Sequence, residues 1–124
     1  MNVLLVDDSE ILRNHLMTIL AEMENVTIVG ESIDTESAIR DIKKKRPDLM
    51  ILDIRIPGEG GIHVLKTAKE KYPDMRVIIY TDYPYPQYQT KCIELGADYF
   101  FDKSTETEKM IDKIRQLAWE TGAR

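Results

Sequence analysis

The chain has 124 residues, 22 acidic and 17 basic, and a formal charge of −5 at pH 7. That length suits one domain, and 43% hydrophobic with 31% charged residues allows a buried core under a charged surface, which excludes disordered and collagen-like chains. The acidic balance, relieved only by the short run Lys43–Arg46, excludes a protein whose main work is gripping nucleic-acid phosphates, since that affinity comes from clustered Lys and Arg.

Val3–Val6 opens the chain as a short β-rich run. Ser9 then stands as a good N-cap, and Ile11, Leu12, His15, Leu16, Ile19 and Leu20 recur at i, i+3, i+4 spacing, which predicts a first helix over about Ser9–Met23. Val26–Val29 predicts a second strand. The helix after it, from about Thr35, turns Ala38, Ile39 and Ile42 inward and ends near Arg46, because Pro47 disfavours a helical residue before it. Leu49–Leu52 is apolar at consecutive positions, as a strand buried on both faces requires. A third helix from about Gly61 carries Ile62, Leu65 and Ala68 and is stopped by Pro73. Val77–Tyr80 predicts the fourth strand, after which Pro84 and Pro86 keep the chain extended and delay the fourth helix to about Gln87. Tyr99–Phe101 predicts the fifth strand. Thr105 and Glu108 have capping-box spacing for a last helix with the inward stripe Met110, Ile111, Ile114, Leu117 and Ala118, and Gly122, Ala123 and Arg124 follow as a tail.

Strand and helix in strict alternation describe an α/β doubly wound fold, a parallel sheet with helices on both faces. Five strands and five helices fill residues 1–124 as one domain, with no linker or repeat. The single Cys92 lacks an intramolecular disulfide partner, which fits a reducing compartment and buried filler. No stretch approaches the roughly 18 apolar residues of a membrane span, and Val3–Val6 is too short for a signal sequence. A cytoplasmic protein without membrane contact is expected. His15 and His63 lack a second ligand at metal spacing and read as partly exposed helix residues.

Ligands of an open parallel sheet bind beyond the carboxyl ends of its strands. The residues leaving those strands are Asp7 and Asp8, Asp53, Thr81 and Lys103. Three carboxylates at one edge repel one another unless a cation neutralises them, and hard oxygen ligands select Mg²⁺ or a similar ion. Lys103 supplies a fixed charge for a phosphoryl oxygen, and the Thr81 hydroxyl can donate to another.

Val3-Leu4-Leu5-Val6-Asp7-Asp8, Pro47 to Asp53 with Pro57 and Gly61, Val77 to Thr81, and Gly96 to Lys103 together strongly resemble the receiver domain of bacterial two-component response regulators. Each stretch alone is common, but their order, each at a strand end, is specific. The resemblance covers essentially the whole chain and implies the flavodoxin-like strand order 2-1-3-4-5. It implies that Asp53 is the phosphoacceptor for a sensor histidine kinase or phosphotransfer protein, in a Mg²⁺-dependent step. It further implies that Asp8, Asp53 and the backbone carbonyl of Arg55 ligate the metal, with Asp7 acting through a coordinated water. Thr81 and Lys103 would hold the phosphoryl oxygens. Phe100 would be the switch aromatic that turns inward as Thr81 moves, and the face of helix 4, strand 5 and helix 5 would carry the signal to a downstream protein. Such a module catalyses only its own phosphorylation and dephosphorylation, and it acts as a monomer or a phosphorylation-dependent dimer.

Some positions depart from that pattern. Asp82 follows Thr81, where a small residue is usual, and it either repels the phosphoryl group or points to solvent. Arg55, two after Asp53, has a side chain that can reach over the site and alter hydrolysis. Ser104 follows Lys103 where many receivers have a cis proline; a cis bond there would cost about 3 kcal/mol, so the turn is either strained or rebuilt as trans. Tyr83-Pro84-Tyr85-Pro86-Gln87-Tyr88 replaces the usual loop and offers either a partner surface or a rigid packed segment. The competing functions are a phosphorylation-independent pseudo-receiver, an aspartyl phosphatase, and the receiver half of a DNA-binding regulator. Arg55 stands where such phosphatases place a second Asp. A stand-alone receiver is preferred to the last.

Overall fold

A computed structural model describes residues 1–122. The elements are β1 (Asn2–Val6), α1 (Glu10–Ala21), β2 (Thr27–Ser32), α2 (Thr35–Lys45), β3 (Leu49–Leu52), α3 (Gly61–Lys71), β4 (Arg76–Thr81), α4 (Pro86–Glu94), β5 (Tyr99–Asp102) and α5 (Thr107–Gly122). The strands form one parallel sheet in the order β2-β1-β3-β4-β5, the order the resemblance implied.

The two-residue period of a strand sends alternate side chains to opposite faces of the sheet. Leu4, Val6, Met50, Leu52, Val77 and Ile79 point toward α2, α3 and α4, where they pack with Ile42, Val64, Leu65 and Cys92. Val3, Leu5, Leu49, Ile51, Ile78 and Tyr80 point the other way, against Leu16 and Leu20 of α1 and Met110, Ile114 and Leu117 of α5. Both faces are covered, which is why β1, β3 and β4 are apolar without alternation. Cys92 is fully buried, and burial pushes its thiol up to about 11.

Several boundaries differ from the sequence reading. β2 starts one residue later and runs to Ser32; its pairing with β1 shifts register between Val3 and Leu4, passing over Val29. α1 begins at Glu10, its cap Ser9 accepting the Leu12 N–H at 3.2 Å. Ile11 belongs to no core: it is 85% exposed, because the inward face of α1 runs through Leu12, Leu16 and Leu20. α2 ends as expected, with Arg46 left-handed at φ 46° before Pro47. α4 begins at Pro86, one residue before the predicted start, since proline's missing N–H is no loss in a first turn.

The Thr105–Glu108 capping box is not formed. Asp102 takes the Thr105 hydroxyl at 3.2 Å and the Ser104 N–H at 2.8 Å, and α5 starts two residues later, the Met110 N–H closing on the Glu106 carbonyl. Among the described residues every peptide bond is trans, so the Lys103–Ser104 turn takes its trans form. Gly122 is the last residue of α5 rather than part of a tail; Ala123 and Arg124 lie outside the described residues.

Candidate functional site

β1, β3 and β5 hand their first following residues, Asp7, Asp53 and Lys103, to the same sheet edge, and β4 brings its own last residue, Thr81. The Asp7 N–H reaches the Ser32 carbonyl at 3.0 Å, the Asp53 N–H the Val6 carbonyl at 3.0 Å, and the Lys103 N–H the Thr81 carbonyl at 2.9 Å. The ladder therefore extends past the strands and fixes the backbone of the functional residues before any side chain acts. Asp7 and Asp53 are each 6% exposed, Thr81 is fully buried and Asp8 is exposed.

Carboxylate oxygens of Asp7, Asp8 and Asp53 lie within 4.8 Å of one another, a group that could hold a metal ion. Lys103 reaches them from β5: its Nζ donates to Asp7 Oδ2 at 2.6 Å and to Asp53 Oδ2 at 3.0 Å. Asp7 has its other oxygen engaged too, since Oδ1 accepts the Ser9 N–H at 2.9 Å. Asp53 does not. Its Oδ1 is buried and has no hydrogen-bond partner among the described residues.

The electrostatics follow from burial and crowding. Burial raises the Asp53 carboxyl above the usual carboxylate value; the Lys103 charge opposes this without cancelling it, and the Asp7 charge adds to the rise. For Lys103, burial works to lower the ammonium, but its bonds and charge contacts with Asp7 and Asp53 outweigh that and hold it above its usual value. One cation thus answers two buried carboxylates.

The loop after β3 is shaped by close approach. A Cβ on Gly61 would stand 2.0 Å from the Asp53 carbonyl oxygen, so only glycine lets α3 start against the backbone of Asp53. Thr35, at the head of α2, pins the same loop: its backbone N–H donates to the Pro57 carbonyl at 3.0 Å, and its hydroxyl accepts the Gly60 N–H at 2.9 Å. The sequence reading used Thr35 only as a helix start. No spacing rule exposes it, because its partners are 22 and 25 residues away.

The departures also find their places. Asp82 is exposed, so it points to solvent rather than into the site. The Thr81 hydroxyl oxygen accepts the Tyr83 N–H at 3.1 Å. The Arg55 guanidinium lies 4.1 Å from the centroid of the Tyr83 ring, and Tyr83, Tyr85 and Tyr88 follow one another with centroids 6.4 and 5.8 Å apart. Phe100 is partly buried against the core beneath α2, α3 and α4. His15 is exposed, and His63 Nδ1 sits 3.2 Å from Glu59.

A family model, the response regulator receiver domain, matches residues 3–115. The chain belongs to that family. Among relatives of this receiver, response regulator GacA of Pseudomonas aeruginosa is 28% identical over 115 residues, 93% of this chain and 54% of GacA. Protein CcdB of Bacillus subtilis is 36% identical over 115 residues, 93% of this chain and 95% of CcdB. The receiver therefore spans about half the length of GacA and nearly all of CcdB. A solved structure titled as the CheX-CheY-BeF3-Mg+2 complex of Borrelia burgdorferi matches with a TM-score of 0.86 and 28% identity over 94% of this chain and 88% of that one. No helix among the described residues is long and apolar enough to cross a membrane.

Proposed function

We propose that this receiver takes a phosphoryl group onto Asp53 from a sensor histidine kinase or phosphotransfer protein and signals through a change of its surface to a downstream protein in the cytoplasm. The observation that carries this reading is Asp53 Oδ1, a buried carboxylate oxygen that lies next to Asp7 and Asp8 and has no hydrogen-bond partner among the described residues. A buried polar atom without a partner is costly unless another group comes to it. An electrophilic phosphorus or a hard cation is the group this all-oxygen donor set would receive.

Mg²⁺ fits the residues present, because Lys103 leaves the three carboxylates incompletely neutralised. Asp8, Asp53 and the Arg55 backbone carbonyl would hold it. Asp7, whose two oxygens are engaged by Ser9 and Lys103, would act from further out. Bound there, the ion supplies neutralisation of charge on the phosphoryl oxygens. In the transfer, an Asp53 oxygen attacks phosphorus, the P–N bond of the phosphohistidine breaks, and its electron pair leaves on the imidazole. An ionised carboxylate needs no general base for this. Lys103 and the Thr81 hydroxyl steady the phosphoryl oxygens by fixed charge and hydrogen bonding.

Drawing Thr81 toward the phosphoryl group would perturb its bond from the Tyr83 N–H and free space for Phe100 to turn inward, changing the surface of α4, β5 and α5. The beryllofluoride and Mg²⁺ named for the Borrelia CheX-CheY complex support this reading. The test is incubation with Mg²⁺ and acetyl phosphate, or with a cognate kinase. The intact mass of the wild type should rise by one phosphoryl group, and Asp53→Asn should show no rise. A wild type that gains no mass from either donor would make the chain a phosphorylation-independent interaction module instead.

A further inference from the structure

The cations nearest the carboxylate cluster are mostly committed. Lys103 is shared between Asp7 and Asp53. Arg13 donates from Nη1 to the Asp7 carbonyl at 2.7 Å and from Nε to Glu31 at 2.9 Å. Arg55 differs. It is exposed, it stands two residues after Asp53, and among the described residues no carboxylate pairs with it. It shares a cleft of about 460 Å³ with Asp8 and Glu59, yet Glu59 turns to His63 and the guanidinium rests on the Tyr83 ring. Tyr83 is itself tied by its N–H to the Thr81 hydroxyl oxygen. The ring that holds Arg55 is therefore two residues from Thr81, a proposed phosphoryl contact, and Arg55 is two residues from the proposed phosphoacceptor.

We propose that the Arg55 guanidinium is an additional phosphoryl-binding group, held on Tyr83 until the phosphoryl group is in place. This rests on the reading of Asp53 as phosphoacceptor. A cation–π contact at an accessible site is weak, whereas a guanidinium meeting a phosphoryl group makes charge-assisted, often bidentate hydrogen bonds. The dianionic group adds to a site already rich in carboxylates, so it outbids the ring for the Arg55 guanidinium, which no carboxylate among the described residues holds. The exchange is a rotamer change of an exposed side chain. Tyr83 acts as a competitor: the state in which Arg55 lies on the ring must be given up, which weakens apparent phosphoryl binding by the fraction parked there. Release also uncovers the Tyr83 ring beside Tyr85 and Tyr88.

The test is titration of the full chain with beryllofluoride and Mg²⁺, followed by NMR. Fluorine signals and the Thr81 and Lys103 amides report occupancy, and the Arg55 Nε–H and Tyr83 ring signals report the exchange. On saturation the Arg55 Nε proton should move downfield as it leaves the ring current, and the Tyr83 ring signals should move with it. Arg55→Gln should weaken beryllofluoride binding by about tenfold, the loss of a charged hydrogen bond; Arg55→Lys should weaken it less. Tyr83→Leu should tighten binding, and the double variant should bind as Arg55→Gln alone. A merely structural role for the pair predicts weakening from both single substitutions. Saturation without movement of the Arg55 and Tyr83 signals, Arg55→Gln binding as the wild type does, or Tyr83→Leu failing to tighten each overturns the proposal while leaving Asp53 as phosphoacceptor. No beryllofluoride binding by the wild type overturns both.

Discussion

The Thr35 hydroxyl, buried between α2 and the loop after β3, accepts the Gly60 N–H at 2.9 Å and donates to the Pro57 carbonyl at 3.2 Å. It does for the site what Gly61 does by having no side chain: both hold the segment that leaves Asp53 in one path. Thr35→Val keeps the shape and removes the hydroxyl, leaving the part-buried Gly60 N–H without its partner. Such a loss costs about 1–3 kcal/mol, and urea unfolding should show a drop of that order, with Thr35→Ser restoring most of it. Phosphorylation of Asp53 by acetyl phosphate should slow in Thr35→Val even under conditions where the variant is fully folded. Stability and rate both unchanged would show that the loop is held without Thr35. The acidic and basic site residues, by contrast, were legible from the sequence, because the end of a β-rich run is a position that can be counted. Thr35 and the Arg55–Tyr83 stack were not, because a contact between loops after different elements leaves no local spacing.

At the level of elements, capping chemistry was legible only where no neighbour competes for the same groups. Thr105 and Glu108 have the spacing of a box, but Asp102 at the end of β5 captures the Thr105 hydroxyl and the Ser104 N–H first. α2 has the box instead. Asp34 accepts the Ser37 N–H at 2.8 Å, and the Ser37 hydroxyl oxygen accepts the Asp34 N–H at 3.2 Å. The side-chain and backbone bonds from Ser37 hold the Asp34 carboxyl below its ordinary 3.8. A carboxylate with a lowered folded-state pKa stabilises the fold above its unfolded value, and that contribution is lost as pH falls through the folded value. Asp34→Ala should therefore be less stable than wild type at pH 7, and the gap should narrow as the solution is acidified below pH 3.8. Asp34→Asn still caps but does not titrate, so its stability difference from Asp34→Ala should stay constant as the pH falls. A gap between wild type and Asp34→Ala that stays constant from neutral to acid pH would remove the ionised cap as its cause.

For the molecule as a whole, the parallel arrangement was legible because a strand such as β3, apolar at consecutive positions, needs cover on both faces, whereas the strand order 2-1-3-4-5 came from the resemblance. The same topology forces Asp7, Asp8 and Asp53 together, so the fold that buries the core also stores repulsion at one edge. Lys103 relieves the two buried carboxylates, and Asp8, exposed and outside its reach, adds uncompensated charge. Asp8→Asn should then raise the unfolding midpoint in a metal-chelating buffer, since it removes repulsion without opening the core. Wild type should be the more responsive chain when Mg²⁺ is added, because a ligand of the native state stabilises by RT ln(1 + [L]/Kd), about 2.7 kcal/mol at a hundredfold excess over Kd. Asp8→Asn should gain much less from the same Mg²⁺. The two effects have opposite sign in one substitution, so thermal melts of both chains with and without Mg²⁺ separate them. A variant no more stable than wild type in chelator would show that the carboxylates do not strain the edge. A variant stabilised by Mg²⁺ as strongly as wild type would show that Asp8 is not among the groups that hold the ion.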